Sequence, residues 1–448
     1  MCSHLLARAL LASIDKARKT LHARAYTLKN RRVILVKNHF PLDKDSRVLK
    51  EVCALKKAKF SVTFLSWDRL GQGSTQGRSD IDGDKTIKLE LGVHVNRFIS
   101  INPILSYFLL PVWWGFVLKW LLKEEWDIAH VINFQSIIPS IIAGNLKGKP
   151  VIYEIEDTWF DQMSLPSYLR PFFLWLDKFC MHFSSAVILV DELQKTEFGG
   201  IPNKNVTVVY DSAIDLYDGT ADLRNKIFTI FYAGEITKYR KLNLDKIVEA
   251  VKEIDGVQII FAGGRDVDEI KKWAARMPNK VYFIGRVPYS EVLQQTMSSD
   301  LLFVLRDDTL PIHKYICGSK IFEAMMSGKP ILVSKGTSTA MKVSKEKIGL
   351  VVDPKNIREI RSAILALKEN QALYDAMGKN ARKAYDNTYG WHIMERRLID
   401  LYCVLVMEAE YEVVVDAHNV EKTKDAMLAL ARNRSLCERL ISKSGRVK

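Results

Sequence analysis

The strongest constraint on this chain is an alternation of short β-rich apolar runs with helical stretches, played out twice. The first series has runs at 33–36, 62–67, 128–133, 151–154 and 186–190, with a helix near 46–57. The second has runs at 227–232, 257–261, 280–284, 301–305 and 330–334. Strands separated by helices demand parallel βαβ units, because a parallel return needs a long crossover. A stretch rich in Asp, Gly and Thr at 211–225 lies between the two series and reads as a loose join. The expected class is α/β, with two doubly wound Rossmann-like domains facing a cleft, and the cleft is the expected site. The length of 448 residues agrees with two cores rather than one.

Charge is unevenly spread. Residues 1–32 carry Arg8, Lys16, Arg18, Lys19, Arg24, Lys29, Arg31 and Arg32 against Asp15 alone, a large share of the net +14. Leu6, Leu10, Ile14 and Leu21 would share a helical face, so the leader reads as a basic amphipathic helix for anionic lipid, a solvated terminus, or a transit peptide. The uncharged run 98–118 is long enough to span a bilayer, but Pro103, Pro111 and Gly115 interrupt it and its flanking strands belong to one sheet. It is expected as a helix with an exposed apolar flank and Trp113 and Trp114 as interfacial anchors, the alternative being an ordinary buried helix. Six scattered cysteines and the lack of a cleavable-looking signal point to a reducing, cytoplasmic setting. Walker, Gly-rich Rossmann, HExxH and Cys/His metal patterns are absent, as is any recognisable nucleic-acid module, so neither metal nor nucleic acid is expected. Residues 351–373 line up without gaps on 414–436, a duplicated strand and helix.

The most informative stretch is GSKIFEAMMSGKP at 318–330. Gly318 and Ser319 form a turn, and the helix after it carries Lys320 and Glu323 three residues apart on one face. A diphosphate there would meet free N–H groups, the positive helix end and a Lys cation, with Glu323 left for ribose hydroxyls. The bland alternative is a surface ion pair.

This segment resembles the retaining GT-B glycosyltransferases of family 4, the glycosyl transferases group 1. Their motif runs Pro-Asn-Lys-hydrophobic-Phe-Glu-Ala-Met and then small-Gly-Lys-Pro. The resemblance implies that Glu323 holds the donor ribose and that Lys320 lies by the donor. FYAGEITKYRKL at 231–242 is similar to the family's first nucleotide-domain strand and glycine turn, Gly234, followed by diphosphate-holding cations at Lys238, Arg240 and Lys241. FAGG at 261–264 resembles the next glycine turn, with Gly263, and FIGRVPYSEV at 283–292 places Gly285, Arg286 and Val287 near the base. YGWHIMERRLIDLY at 389–402 is similar to the closing helix. In the first half, DKDSRVLKEVCAL at 43–55 supplies Asp45 and Arg47, WDIAHVINFQSIIPS at 126–140 supplies His130, and VIYEIEDTW at 151–159 supplies Glu156 and Asp157, all on the acceptor side. His130 is either near the sugar or a structural hydrogen-bonding residue.

The resemblance, over about 32–402, implies an acceptor-binding domain at 32–222, a nucleotide-sugar-binding domain at 223–388 and a closing helix at 389–405, to which the charge pattern adds a basic amphipathic leader at 1–31 and the internal repeat an extension at 406–448. The expected reaction moves a sugar from a nucleotide diphosphate sugar to a lipid-linked or saccharide acceptor, with retention and without a cofactor. Arg240, Lys241 and His130 are the catalytic candidates, and the cytoplasmic face of an anionic membrane is the expected location. Ile316 stands where the family often has Glu, and Glu235 where many members have Arg. These departures keep two alternatives open: a catalytically silent partner subunit, and a sugar-nucleotide epimerase of the same fold.

Overall fold

The computed structural model describes residues 30–38, 45–68, 94–99, 109–158, 160, 167–217, 227–236 and 242–414. The basic leader, Lys238, Arg240, Lys241 and the second copy of the repeat beyond residue 414 lie outside the described residues.

The first sheet contains β1 (Arg32–Lys37), β2 (Ser61–Asp68), β3 (His94–Ile99), β4 (Ile128–Ile132), β5 (Val151–Ile155), β6 (Ala186–Leu189) and β7 (Val206–Val208), in the order β3-β2-β1-β4-β5-β6-β7. The second contains β8 (Phe228–Ile236), β9 (Val257–Arg265), β10 (Val281–Gly285), β11 (Leu301–Val304), β12 (Ile331–Ser334) and β13 (Gly349–Val352), in the order β10-β9-β8-β11-β12-β13. Every pairing is parallel. Strands such as β4 and β5 are buried at every position, as parallel strands covered on both faces must be.

The helices of the first half are α1 (Ser46–Lys57), α2 (Leu110–Lys123), α3 (Phe134–Lys147), α4 (Arg170–Phe183) and α5 (Gln194–Glu197). Those of the second are α6 (Leu244–Lys252), α7 (Asp268–Arg276), α8 (Tyr289–Ser298), α9 (Pro311–Tyr315), α10 (Lys320–Ser327), α11 (Ser338–Glu346), α12 (Ile357–Glu369) and α13 (Gln371–Ala384). A π turn at Tyr385–Tyr389 leads into α14 (Trp391–Val414). Local chemistry sets their ends: Asp45 accepts the Val48 N–H to start α1, and Gly148 in the left-handed region stops α3.

One apolar cluster joins the two halves. Val33, Leu35, Ile128 and Ile152 of the first sheet pack with Met394, Leu398, Leu401 and Tyr402 of α14, and with Phe322 and Met325 of α10. The opposite face of the first sheet is covered by α2, α3 and α4 through Trp113, Val117, Ile137 and Met181.

The sequence pattern missed β3 and β7 and understated β8 and β9, which run on through their glycines to Ile236 and Arg265. β7 has only three residues, too few to leave an apolar run. The described part of the join, 211–217, is firmer than its composition suggests: Arg382 grips both oxygens of Asp215 at 2.8 and 2.6 Å, Tyr385 donates to the Ala213 carbonyl at 2.8 Å, and Ser212 donates to the Tyr389 carbonyl. The run 98–118 divides between the end of β3 and α2, with residues 100–108 outside the described set. Trp113 is fully buried and donates to Ser136 Oγ at 3.1 Å, so its indole belongs to the core rather than to an interface, while Trp114 is half-buried and donates to the Gln135 carbonyl at 2.9 Å. Among the described residues, no helix is long and apolar enough to cross a membrane.

Candidate active site

Each sheet reverses its winding at one place, between β1 and β4 in the first and between β8 and β11 in the second. Ligands of doubly wound sheets bind beyond the strand ends at such reversals. Several of the predicted residues that are described lie beside these reversals.

On the second sheet, β8 carries Gly234 at φ +154°, and a Cβ there would lie 2.8 Å from Lys320 Nζ. Lys320 opens α10 across the sheet, so the missing side chain is what admits its ammonium, which also lies 4.8 Å over the Tyr232 ring. A Cβ on Gly263 would lie 2.0 Å from the Gly234 carbonyl oxygen, which fixes the second glycine as well. One turn along α10, Glu323 is 4% exposed. Burial pushes its carboxyl up, and Lys320 and Ser319 pull it back; Asp211 pushes it up and Lys50 pulls it down from across the seam between the halves. Its electrostatic surroundings therefore include residues from both halves.

The other donor-side residues divide. Gly318 lies against Arg306, whose Nη2 is 2.6 Å from where a Cβ would stand. Arg306 follows β11 and is a cation that the sequence reading did not single out, since no motif marks it. Ser319 takes the N-cap place of α10. Gly285, at φ +76°, ends β10, and Val287 packs with Phe231, Ala233 and Ala262. Arg286 lies across Gly264 and donates to Glu235 at 2.6 Å, with Arg265 3.9 Å from the same carboxylate. Glu235, the departure that weakens the expected positive field, is thus faced by two guanidinium groups. Ile316, the other departure, is buried.

The first half holds a network of buried charges. Lys37, the last residue of β1, donates to Asp45 at 2.5 Å and to both oxygens of Glu156 at 2.8 Å. Burial opposes its charge, but these two carboxylates hold its titration above the ordinary lysine value. Asn133, just past β4, adopts φ 65° and clamps Glu156: its Oδ1 accepts the Glu156 N–H at 3.0 Å and its Nδ2 donates to Oε2 at 3.2 Å. A non-glycine residue at positive φ costs about 1–3 kcal/mol and persists where its surroundings demand it. Burial pushes Glu156 up to about 7, with Lys37 opposing and Asp45 and Glu154 adding to the shift. Asp157 lies beside the same Asn133 oxygen, its N–H at 3.5 Å.

Deeper in, Arg47 donates to Glu154 at 2.5 Å and lies 3.3 Å from Glu51. Burial would raise Glu154, yet Arg47 and His130 together hold it down to about 2. Glu51 goes the other way, raised by burial and by Glu154 despite Arg47. His130 is fully buried: Nε2 meets Glu154 Oε2 at 2.7 Å and Nδ1 meets the Tyr402 hydroxyl of α14 at 2.8 Å. Both ring nitrogens are committed, so the expectation of a histidine facing the sugar gives way here to its alternative, a structural hydrogen-bonding residue. Among the described residues, Glu51, His130 and Glu154 are the one group with metal-like spacing, and Arg47 already supplies the positive charge that an ion would bring.

A further link was not legible at all. Asp191, fully buried after β6, accepts from the Cys317 N–H at 3.0 Å, from Ser338 Oγ at 2.5 Å and from Lys342 at 2.9 Å. The first half thereby holds the backbone one residue before Gly318, where the turn into α10 begins.

The sequence model of glycosyl transferases group 1 matches residues 220–384, the span that contains Gly234, Lys320 and Glu323. This segment belongs to that family. The chain is 20% identical over 304 residues to phosphatidyl-myo-inositol mannosyltransferase of Mycobacterium tuberculosis, covering 64% of this chain and 76% of that protein. It is 24% identical over 179 residues to an uncharacterized glycosyltransferase of Methanocaldococcus jannaschii, covering 38% of this chain and 43% of the relative, so less than half of that protein is spanned. The crystal structure of Anabaena Alr3699/HepE in complex with UDP superposes with a TM-score of 0.62 at 16% identity, over 84% of this chain and all of that one. The group 1 segment therefore sits in a chain with the GT-B fold.

Proposed function

We propose that the chain moves a sugar from a nucleotide diphosphate sugar to an acceptor hydroxyl, with retention of configuration. The observation that carries this reading is the Lys320 ammonium lying against the bare Cα of Gly234 at the reversal of the second sheet. A cation at the opening residue of a helix supports this reading, because the positive end of a helix and a lysine both favour an anion such as a diphosphate.

In the reaction, the acceptor oxygen approaches the anomeric carbon on the face that the leaving diphosphate occupies. The bond from that carbon to the diphosphate breaks, the bond to the acceptor forms, and the acceptor proton passes to the leaving phosphate oxygen. No protein nucleophile is needed, and the protein's task is to stabilise negative charge gathering on the diphosphate. Lys320 and the start of α10 act there, joined by Lys238, Arg240 and Lys241. Glu323 holds the ribose, and Gly285 and Arg286 border the base. On the opposite side, Asp45, Glu156 and Asp157 receive the acceptor, a lipid-linked or saccharide alcohol, while Arg47 and His130 hold Glu154 beneath them. The mycobacterial mannosyltransferase and the UDP-bound Anabaena structure support the donor class and the lipid-linked choice. No cofactor is assigned. The chain is proposed to work at the cytoplasmic face of an anionic membrane.

Incubation with a panel of UDP- and GDP-sugars tests this. A specific donor raises the melting temperature by mass action, and the anomeric coupling constant of the product, read by NMR, gives the stereochemistry. Conversion of the donor without acceptor would favour epimerisation, and donor binding absent from the whole panel would favour a silent subunit.

A further inference from the structure

The outer face of the first half is chemically unusual. Along α4, Phe172, Trp175, Phe179 and Phe183 are each between 47% and 56% exposed, beside exposed Pro171 and His182. The four aromatics follow at spacings of three, four and four, one helical face. Their rings form a continuous row, with centroids 6.1, 5.8 and 4.8 Å apart. A soluble surface seldom leaves aromatics contiguous in this way.

The neighbouring helices extend the pattern. α3 presents Ile142 and Leu146 and α2 presents Val112 and Leu122, all exposed. In α2, α3 and α4 together the sole carboxylate is Asp177, which is buried and accepts from Tyr153 at 2.6 Å. The cations Lys119, Lys123, Lys147, Arg170 and Lys178 stand on the same three helices. At their margins Glu197 pairs with Arg170, Glu124 caps α2, and the exposed Glu125 lies 3.5 Å from Arg32 and 3.8 Å from Lys147. Arg31 and Arg32 both reach Asp127 just past the end of α2.

An exposed aromatic row, flanking aliphatics and cations, on three helices whose sole carboxylate is buried, suit one partner chemistry. Aromatic rings settle at the headgroup level, and Lys and Arg are drawn to anionic lipid. A protein partner would call for no such exclusion of carboxylates. We infer that the α2–α3–α4 face, with Phe172, Trp175, Phe179 and Phe183 as its anchors, docks on an anionic lipid surface. This replaces Trp113, which is buried in the core, and it bears on the proposed lipid-linked acceptor without resting on it.

The test uses the full chain and co-sedimentation with vesicles of equal parts phosphatidylcholine and phosphatidylglycerol, against phosphatidylcholine alone. The wild type partitions onto the anionic vesicles, and Phe172→Ser/Trp175→Ser/Phe179→Ser lowers that partition about tenfold or more. Trp175→Ser alone gives a smaller loss in case the triple variant folds poorly, and Trp175→Phe retains binding. Hydrogen exchange with vesicles present slows over residues 170–183. Partition unchanged within twofold in a folded triple variant, or exchange there unaffected by lipid, overturns the inference. So does a lipid-indifferent dimer, seen by light scattering, that Trp175→Ser dissociates, because the face would then be an interface between copies.

Discussion

The two sheet reversals hold charge in opposite ways. At the second, one cation enters a space that glycine leaves open, and the groups around it come from a glycine turn and the start of one helix. At the first, Lys37, Asp45, Arg47, Glu51, His130, Glu154 and Glu156 interlock, brought together from β1, α1, β4, β5 and the residues next to them, with Tyr402 of α14 closing the back. A site that must receive a polyanion sets a cation against bare backbone, whereas a network that neutralises itself serves first to fix backbone positions. The first reversal should therefore respond to mutation mainly in stability, the second mainly in turnover.

The sharpest separation comes from Glu154→Ala. Removing it leaves Arg47 and His130 buried without their carboxylate, and breaking a buried pair on one side costs about 3–5 kcal/mol. Urea unfolding should show that loss; an unchanged midpoint would break the contrast. Lys320→Ala should do the reverse, lowering turnover by about 100–1,000-fold, the usual consequence of removing one donor to developing charge, while leaving the melting temperature nearly unmoved.

A third difference is in pH. Glu156 is raised in the folded state to about 7 from an ordinary 4.5. The folded protein therefore binds more protons than the unfolded chain between those values, so this group's contribution to stability is full below pH 4.5 and declines as pH rises to 7. Glu156→Gln should remove a slope of about 1–3 kcal/mol across that window, measured by urea unfolding at several pH values. The opposite slope below pH 4.5, from Glu154 held down to about 2, should remain in that variant. The smallest effect is expected at the second reversal's rim: Arg286→Ala removes an exposed pair with Glu235 and should cost about 0–1 kcal/mol of stability.

The same contrast explains what could be read from the sequence. Both sheets were legible because buried parallel strands leave apolar runs, and the Lys320 helix was legible because its parts are neighbours in sequence. Asp45, His130 and Glu156 could be picked as residue types, but not their pairings, since β4 and β5 deliver His130 and Glu154 to each other only through a sheet register. Arg306 and Asp191 carry no local pattern: one lies against a glycine 12 positions on and the other against residues more than 120 positions away. Trp113 misled because an apolar run does not say which of its faces meets the core.

The central claim is that the start of α10 and the Gly234 turn receive the diphosphate of the donor. Calorimetric titration of UDP and GDP into the wild type and into Lys320→Ala/Glu323→Gln tests it directly. The account predicts that at least one nucleotide binds the wild type and that its affinity falls about 100-fold or more in the double variant, the loss of one charged contact and one hydroxyl clasp. Equal affinity in the two proteins, both folded, would contradict it.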